Sequence, residues 1–401
     1  MPVPEDQPSP SSGPLSDVVV VELAHALAGP HAAMMLGDLG ARVIKVERPG
    51  VGDESRCWGP PFVGPEETQE STYFLSCNRN KESITLDLSA RDDGEVFKQL
   101  INRADVLVTN FRPGVAERLG FGFQLLQEIN PRLVILSITG FGHGGPESGR
   151  PGYDQIAQGE AGLMSVTGPG PDEPTKVGVP IADVLAGING AYGVVAALHE
   201  RERTGCGKVV RTSLLAGIIG AHAYLGTAWT VAGELPRAGG NHHPSIAPYG
   251  TFVCADGPIQ LAVGSDGLWR RFAPLVNTDP ADERFATNAD RVRNREELIR
   301  VIEAALAGRL RDHWLARLAE VGVPAGTVRS FDQVYAWDQV LSQELLVEAE
   351  HSSLGRISLP GPPLSFDNGP TTVHRAPPTL GQHNEAIRSW LRVRETETGG
   401  S

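Results

Sequence analysis

The chain has 401 residues, a formal charge of -13 and a pI near 5.3. That balance excludes general binding to nucleic acid or to an anionic membrane, since both need a basic surface field. With 40% hydrophobic and 21% charged residues the body reads as globular, long enough for two domains or for one large domain with an insertion.

Residues 1–15 and 391–401 are Pro/Ser/Gly-rich or charged and read as flexible termini. The N-terminus lacks the basic start and apolar core of a signal peptide. From Asp17 the run VVVVELA predicts a strand in a sheet covered on both faces. GPHAAMMLGDLG follows, with Pro30 at a first helical position and Gly40 at the stop, and then the strand RVIKVE. SITLDL predicts a third strand, GEVFKQLINRA a helix, DVLVTNF a fourth strand, QLLQEIN a helix and LVILSITGF a fifth strand. Strands alternating with helices at this spacing predict an α/β fold with a mainly parallel sheet, whose ligands sit beyond the carboxyl ends of the strands. His25 and Ala26 follow the first strand, Arg48 the second, and Asn110, Phe111 and Arg112 the fourth.

The stretch from Gly178 to Gly205 predicts a buried helix of about five turns. Asp183 near its start reads first as an N-cap, a role worth roughly 1 kcal/mol. Gly187, Gly190 and Gly193 each cost about 1 kcal/mol against alanine in a helix interior, so something must approach this helix closely. The uncharged window Leu214 to Gly233 is long enough to span a bilayer, but four glycines, two threonines and His222 dilute it, and a buried helix is the better reading.

Beyond it, a glycine-rich loop with Gly239 and Gly240 precedes two strands around Asp256-Gly257, the signature of an antiparallel hairpin. Helices follow to about residue 322. These features predict a large domain over 16–225, a smaller α+β domain over 226–330 and a C-terminal segment, 331–390, returning to the large domain. No phosphate loop, dinucleotide glycine fingerprint, zinc-protease motif or nucleophile elbow is present. Four cysteines form no C-x-x-C pair, and the adjacent His242 and His243 are poorly spaced for one metal, so no metal site is expected. A reducing cytoplasm is the expected compartment.

The blocks HALAGPHAAMMLGDLGARVIKVERPGVGD, NRNKESITLDL, TNFRPGVAERLG, NPRLVILSITGFG, RPGYDQIAQ, PIADVLAGINGAYGVVAALHERERTG and GNHHPSIAPYGTF, taken in order, resemble the class III coenzyme A transferases of the CaiB/BaiF superfamily. The resemblance covers roughly residues 16 to 390. It implies a Rossmann-like large domain and an interlocked homodimer. It further implies transfer of CoA from an acyl-CoA donor to a carboxylic acid acceptor through a covalent aspartyl intermediate. CoA is then a substrate, and no permanently bound cofactor is implied. By the same resemblance Asp183 is the catalytic nucleophile. His25, Ala26, Arg48, Leu86, Asn110, Phe111 and Arg118 hold the nucleotide of CoA, with Arg112 a basic neighbour, and Gly239 and Gly240 belong to an active-site loop. An N-terminal helix position would favour the ionised carboxylate that attacks.

Ser89 departs from the family where some members place a lysine, as do Lys208 and Arg211 where glutamine and an acid are common. An α-methylacyl-CoA racemase is the alternative within the superfamily. It pairs the aspartate with a histidine, whereas the residue before Asp154 here is Tyr153, a poor acid/base partner at neutral pH. A non-catalytic CoA-binding protein is the alternative outside enzymes. PTKVGVPIAD resembles members acting on succinyl-CoA or related dicarboxylates.

Overall fold

The computed structural model describes residues 13–367 and 374–393. Most of the two expected flexible termini, 1–12 and 394–401, lies outside the described residues. The chain divides into two compact units, one of 1–161, 177–227 and 339–401, the other of 162–176 and 228–338.

The larger unit is built on six parallel strands: β1 (Val19–Leu23), β2 (Arg42–Glu47), β3 (Lys81–Thr85), β4 (Val106–Thr109), β5 (Val134–Thr139) and β6 (Val209–Ser213). Their order across the sheet is β3-β2-β1-β4-β5-β6. Chain direction across the sheet therefore reverses between β1 and β4, which opens a crevice beyond their carboxyl ends. Helix α1 (Ala28–Asp38) links β1 to β2. Its first turn contains Pro30, and Gly40 ends it with φ +98°. The short helix α2 (Thr72–Ser76) precedes β3, α3 (Arg91–Arg103) precedes β4, and α4 (Val115–Arg118) and α5 (Phe123–Ile129) precede β5. Val21, Ile44, Ile84, Leu107 and Ile135 carry the sheet's apolar face, with Phe97, Leu100 and Ile101 of α3 packed on it.

Two helices connect β5 to β6: α6 (Asp154–Glu160) and the 24-residue α7 (Ile181–Thr204). The glycines of α7 are explained by what they face. A Cβ at Gly187 would lie 3.0 Å from the Ala28 carbonyl oxygen of α1, and one at Gly193 would lie 2.7 Å from Val210 of β6. The helix thus lies against α1 and the sheet at backbone distance. Its other side is not buried, contrary to expectation: Ile188, Tyr192 and Val195 recur along one exposed stripe.

The window after Leu214 forms two helices rather than one, α8 (Leu214–Ala221) and α9 (Ala223–Ala232), bent by 78°. Ala223, with φ +48°, breaks the helical run at the bend. In the smaller unit β7 (Tyr249–Cys254) and β8 (Gly257–Ala262) form the expected hairpin, with Cys254 opposite Gly257. A third strand, β9 (Ala325–Thr327), pairs antiparallel with β8. Residues 162–176, expected in the large domain, group here because Ala238 N–H donates to Ser165 O and Gly240 N–H to Gly168 O.

Beneath the crevice the sheet contains charges that a hydrophobic reading of β1 and β2 misses. Glu22 stands opposite Lys45 in the β1–β2 register, and both are fully buried. Lys45 Nζ lies 2.6 Å from Glu22 Oε1 and 2.8 Å from Asp53 Oδ2, and Lys81 Nζ lies 2.7 Å from Glu22 Oε2. Burial alone would discharge Lys45, but Asp53, Glu22 and Glu47 more than offset it and hold the ammonium above its usual range. Removing one partner of a buried ion pair leaves the others uncompensated, at about 3–5 kcal/mol. Lys45→Met should therefore lower the free energy of unfolding of the protein by an amount in that range, read from urea titrations followed by circular dichroism.

Candidate active site

Two carboxylates meet at the head of α7. Asp183 is the third residue of the helix, too far inside to cap it, because a capping side chain must precede the first helical residue. The cap comes instead from Asp154, in the first turn of α6. Its Oδ1 accepts the Ala182 N–H at 2.8 Å and the Asp183 N–H at 3.4 Å. The expected capping role of Asp183 is thus corrected, and its own carboxyl has no side-chain hydrogen bond among the described residues.

Burial, and then the charge of Asp154, push the Asp183 carboxyl up to about 7. The expected preference of the helix terminus for the ionised form is outweighed. Tyr73 of α2 lies beside this pair and packs with Val184 on the cluster of Leu27, Met34 and Cys77. Burial, followed by Asp183, raises the Tyr73 phenol above its usual range, so it remains a hydroxyl donor. Sequence reading passed over Tyr73, which carries no local motif, and treated Asp154 only as the neighbour of Tyr153.

The residues expected to hold a nucleotide lie at the strand ends. His25 N–H donates to Asn110 Oδ1 at 3.0 Å, and Asn110 Nδ2 donates back to His25 O at 2.7 Å, closing the mouth of the β1–β4 crevice. The His25 ring stacks on Phe111 with centroids 5.9 Å apart. Ala26 adopts φ +62°, and its N–H donates to Asp53 Oδ1 at 3.1 Å. The His25 imidazole is held below its usual range by burial and by Lys45, and so is neutral at pH 7.

Arg48, Arg112 and Arg118 are exposed and have no ion-pair partner among the described residues. Arg48 lies near enough to His25 to act on it electrostatically, and the Arg118 guanidinium lies over Gly114, where an added Cβ would be 3.4 Å away. Leu86 differs from expectation: the whole residue is 1% exposed, with its side chain in the sheet core and its N–H donated to Glu47 O. Gly239 and Gly240 belong to the smaller unit, where Gly240 has φ +64° and Gly239 faces open space.

A carboxyl at a helix head and exposed guanidiniums after neighbouring strand ends, each without an ionic or side-chain hydrogen-bond partner among the described residues, are features that an acyl-transfer site for an anionic carrier would use. Residues 15–384 match CoA-transferase family III, and the chain belongs to that family and is a CoA-transferase. It is 37% identical to human succinyl-CoA:glutarate CoA-transferase over 93% of this chain and 85% of that one. It is 36% identical to acetyl-CoA:oxalate CoA-transferase of Acetobacter aceti over 98% and 100% of the two chains. A crystal structure of a CaiB/BaiF family protein from Brucella suis superposes with a TM-score of 0.84 at 38% identity, covering 95% of this chain and 100% of that one.

Were Asp183, whose carboxyl burial and Asp154 push up to about 7, the attacking group, it would have to ionise first. The kcat/KM for CoA exchange should therefore fall about tenfold per pH unit below that midpoint and level off above it. A profile flat from pH 5.5 to 8.5 would show that no group titrating there governs the reaction.

Proposed function

We propose that the protein transfers CoA from an acyl-CoA thioester to a free dicarboxylic acid, with Asp183 as the covalent nucleophile. The observation that carries this reading is the unpartnered Asp183 carboxyl, half-buried at the head of α7 and poised to ionise near neutrality. The named acceptors of the two relatives, glutarate and oxalate, support the dicarboxylate class.

In the first step a carboxylate oxygen of Asp183 attacks the thioester carbonyl. The C–S bond breaks, CoA leaves as the thiolate, and a mixed anhydride remains. The thiolate then attacks the aspartyl carbonyl of that anhydride, releasing the donor acid as a carboxylate and leaving an aspartyl-CoA thioester. The acceptor carboxylate attacks this thioester, and the returning thiolate attacks the acceptor's acyl carbon, restoring Asp183. One difficult exchange becomes four displacements with no ATP. Tyr73, kept protonated, is the nearby hydroxyl able to donate to a developing oxyanion.

On this reading the adenine and ribose of CoA rest at the mouth of the crevice, against the His25–Phe111 stack and the Ala26 and Asn110 backbone. Arg48, Arg112 and Arg118 meet the phosphates. His25 contributes shape and hydrogen bonding rather than charge. The four cysteines are free thiols, which suits the expected cytoplasmic compartment.

Incubation with succinyl-CoA should leave a CoA adduct on the peptide containing Asp183, read by mass spectrometry, and Asp183→Ala should abolish both adduct and exchange. Full exchange activity in that variant would overturn the assignment. Loss of one charge-assisted contact costs about 1.5–3 kcal/mol, so Arg48→Ala or Arg118→Ala should weaken free CoA binding roughly tenfold to a hundredfold, by calorimetry at matched salt. The phosphates lie far from the thioester, so the effect should appear mainly in KM.

A further inference from the structure

Gln158 is fully buried in α6, one helical turn after Asp154. An amide there must satisfy both its donor and its acceptor within the protein. It does so with two partners that bracket the start of α7. Its Nε2 donates to Asp154 Oδ2 at 2.7 Å, and its Oε1 accepts the Val177 N–H at 2.8 Å. Asp154 turns its other oxygen to the Ala182 and Asp183 N–H groups. The amide thus fixes one carboxylate oxygen so that the other is aimed at the backbone of the nucleophile itself, and it anchors the chain four residues before α7 begins. None of these residues forms a recognisable motif, since 19 residues separate Gln158 from Val177 and 28 separate Asp154 from Ala182.

We propose that Gln158 is a positioning residue for the Asp183 carboxyl, acting through Asp154. The proposal rests on the reading of Asp183 as the nucleophile. Asp154 does two things when held in this way. As a hydrogen-bond acceptor it sets where α7 begins, and so where Asp183 projects. As a like charge it opposes ionisation of Asp183, which keeps the nucleophile basic.

The groups around Asp183 leave that second role to Asp154. From α2 comes Tyr73, a neutral phenol. From α1 comes His31, packed against Gly187 and held neutral by burial, with its imidazole lowered to about 4. The helix α8 carries no titratable side chain, β5 none, and β6 only Arg211, which acts on His143. Among these groups the charge that acts on Asp183 is that of Asp154.

The test measures pH profiles of kcat/KM for succinyl-CoA exchange in the wild type, Asp154→Asn, Gln158→Leu and the double variant, with CoA affinity by calorimetry beside them. Asp154→Asn keeps an oxygen that can accept the Ala182 N–H but removes the like charge. Its profile midpoint should move down by about one pH unit or more. Gln158→Leu should lower kcat about tenfold or more with CoA affinity unchanged, since the relay bears on the reacting carboxyl rather than on phosphate contacts. In the Asp154→Asn background the same change should cost much less, because the two side chains act as one unit.

An unmoved midpoint in Asp154→Asn, or fully additive losses in the double variant, would overturn the proposal. Because Gln158 is buried, Gln158→Asn, whose shorter amide cannot reach Asp154 and Val177 together, runs beside the leucine variant, and a folded variant of either kind with wild-type kcat would overturn the positioning role. Asp183→Ala runs in parallel: exchange retained there refutes the nucleophile assignment, whereas exchange lost there with an unmoved Asp154→Asn midpoint refutes only the positioning role.

Discussion

The buried contact between Glu22 and Lys45 is the constraint on which the site depends. Two adjacent parallel strands each place a charge at the same level of the sheet, and neither charge has access to water. Such a pair persists only if every remaining polar valence is met. The way it is met shapes the crevice. Lys45 also donates to the Ala24 carbonyl at the end of β1, and Lys81 reaches the Pro30 carbonyl in the first turn of α1 and the Asn78 side chain. Asp53, held below the usual carboxylate range chiefly by Lys45 against the opposing effect of burial, turns its other oxygen to Ser55 and to the Ala26 N–H. One ionic cluster therefore ties together the end of β1, the left-handed turn at Ala26 and the start of α1. A positive φ costs an L-residue roughly 1–2 kcal/mol, and the Asp53 contact is what holds Ala26 there. The turn in turn presents the His25 backbone to Asn110.

The head of α7 follows a different logic, in which stability and reactivity oppose each other. A carboxyl whose folded pKa is raised from 3.8 to about 7 gives its full stability only when neutral. Stability is undiminished below the unfolded value and declines as pH rises from there through about 7, where the carboxylate forms in a place that disfavours it. Those are the conditions in which the group can attack. A capping role for Asp183 itself would have stabilised the ionised form and occupied oxygens that, on the proposed reading, must meet a thioester. With the cap supplied by Asp154, the Ala182 and Asp183 N–H groups are satisfied while the Asp183 carboxyl keeps no side-chain hydrogen bond among the described residues.

What the sequence made legible follows from how local each signal is. The β-branched runs, the glycine stop at Gly40 and the Asp256-Gly257 turn are encoded within a few residues, and the strands, helix and hairpin they predict are all present. The glycines of α7 announced a close approach, and the carbonyl of Ala28 and the side chain of Val210 are what approach. The ion cluster was not legible, because Glu22, Lys45, Asp53 and Lys81 are spread over 60 residues and each alone reads as a solvated charge in or near a strand. The capping assignment failed for a related reason. An aspartate near a helix start is a local pattern, whereas the residue that does cap, Asp154, arrives from another helix. The glycines, threonines and His222 of the window after Leu214 are scattered along its length, so composition gave no sign of where it bends, at Ala223.

An acidic protein that handles a polyanionic carrier must separate its long-range field from its local contacts. With a formal charge of -13 the overall field repels CoA, and the Debye length of about 8 Å at physiological salt confines that repulsion to the near surface. Arg48, Arg112 and Arg118 stand on loops beyond the strand ends with no carboxylate paired to them among the described residues, so their charge is not spent within the fold. The buried ammonium groups, by contrast, are fully neutralised by carboxylates and contribute architecture rather than attraction. Lys45 even acts against a cationic His25, leaving the imidazole a neutral stacking partner for Phe111. Cationic side chains thus do opposite work, lysines buried and arginines exposed. The buried ones are locked into ion pairs that fix the backbone, and the exposed ones are left free for a ligand.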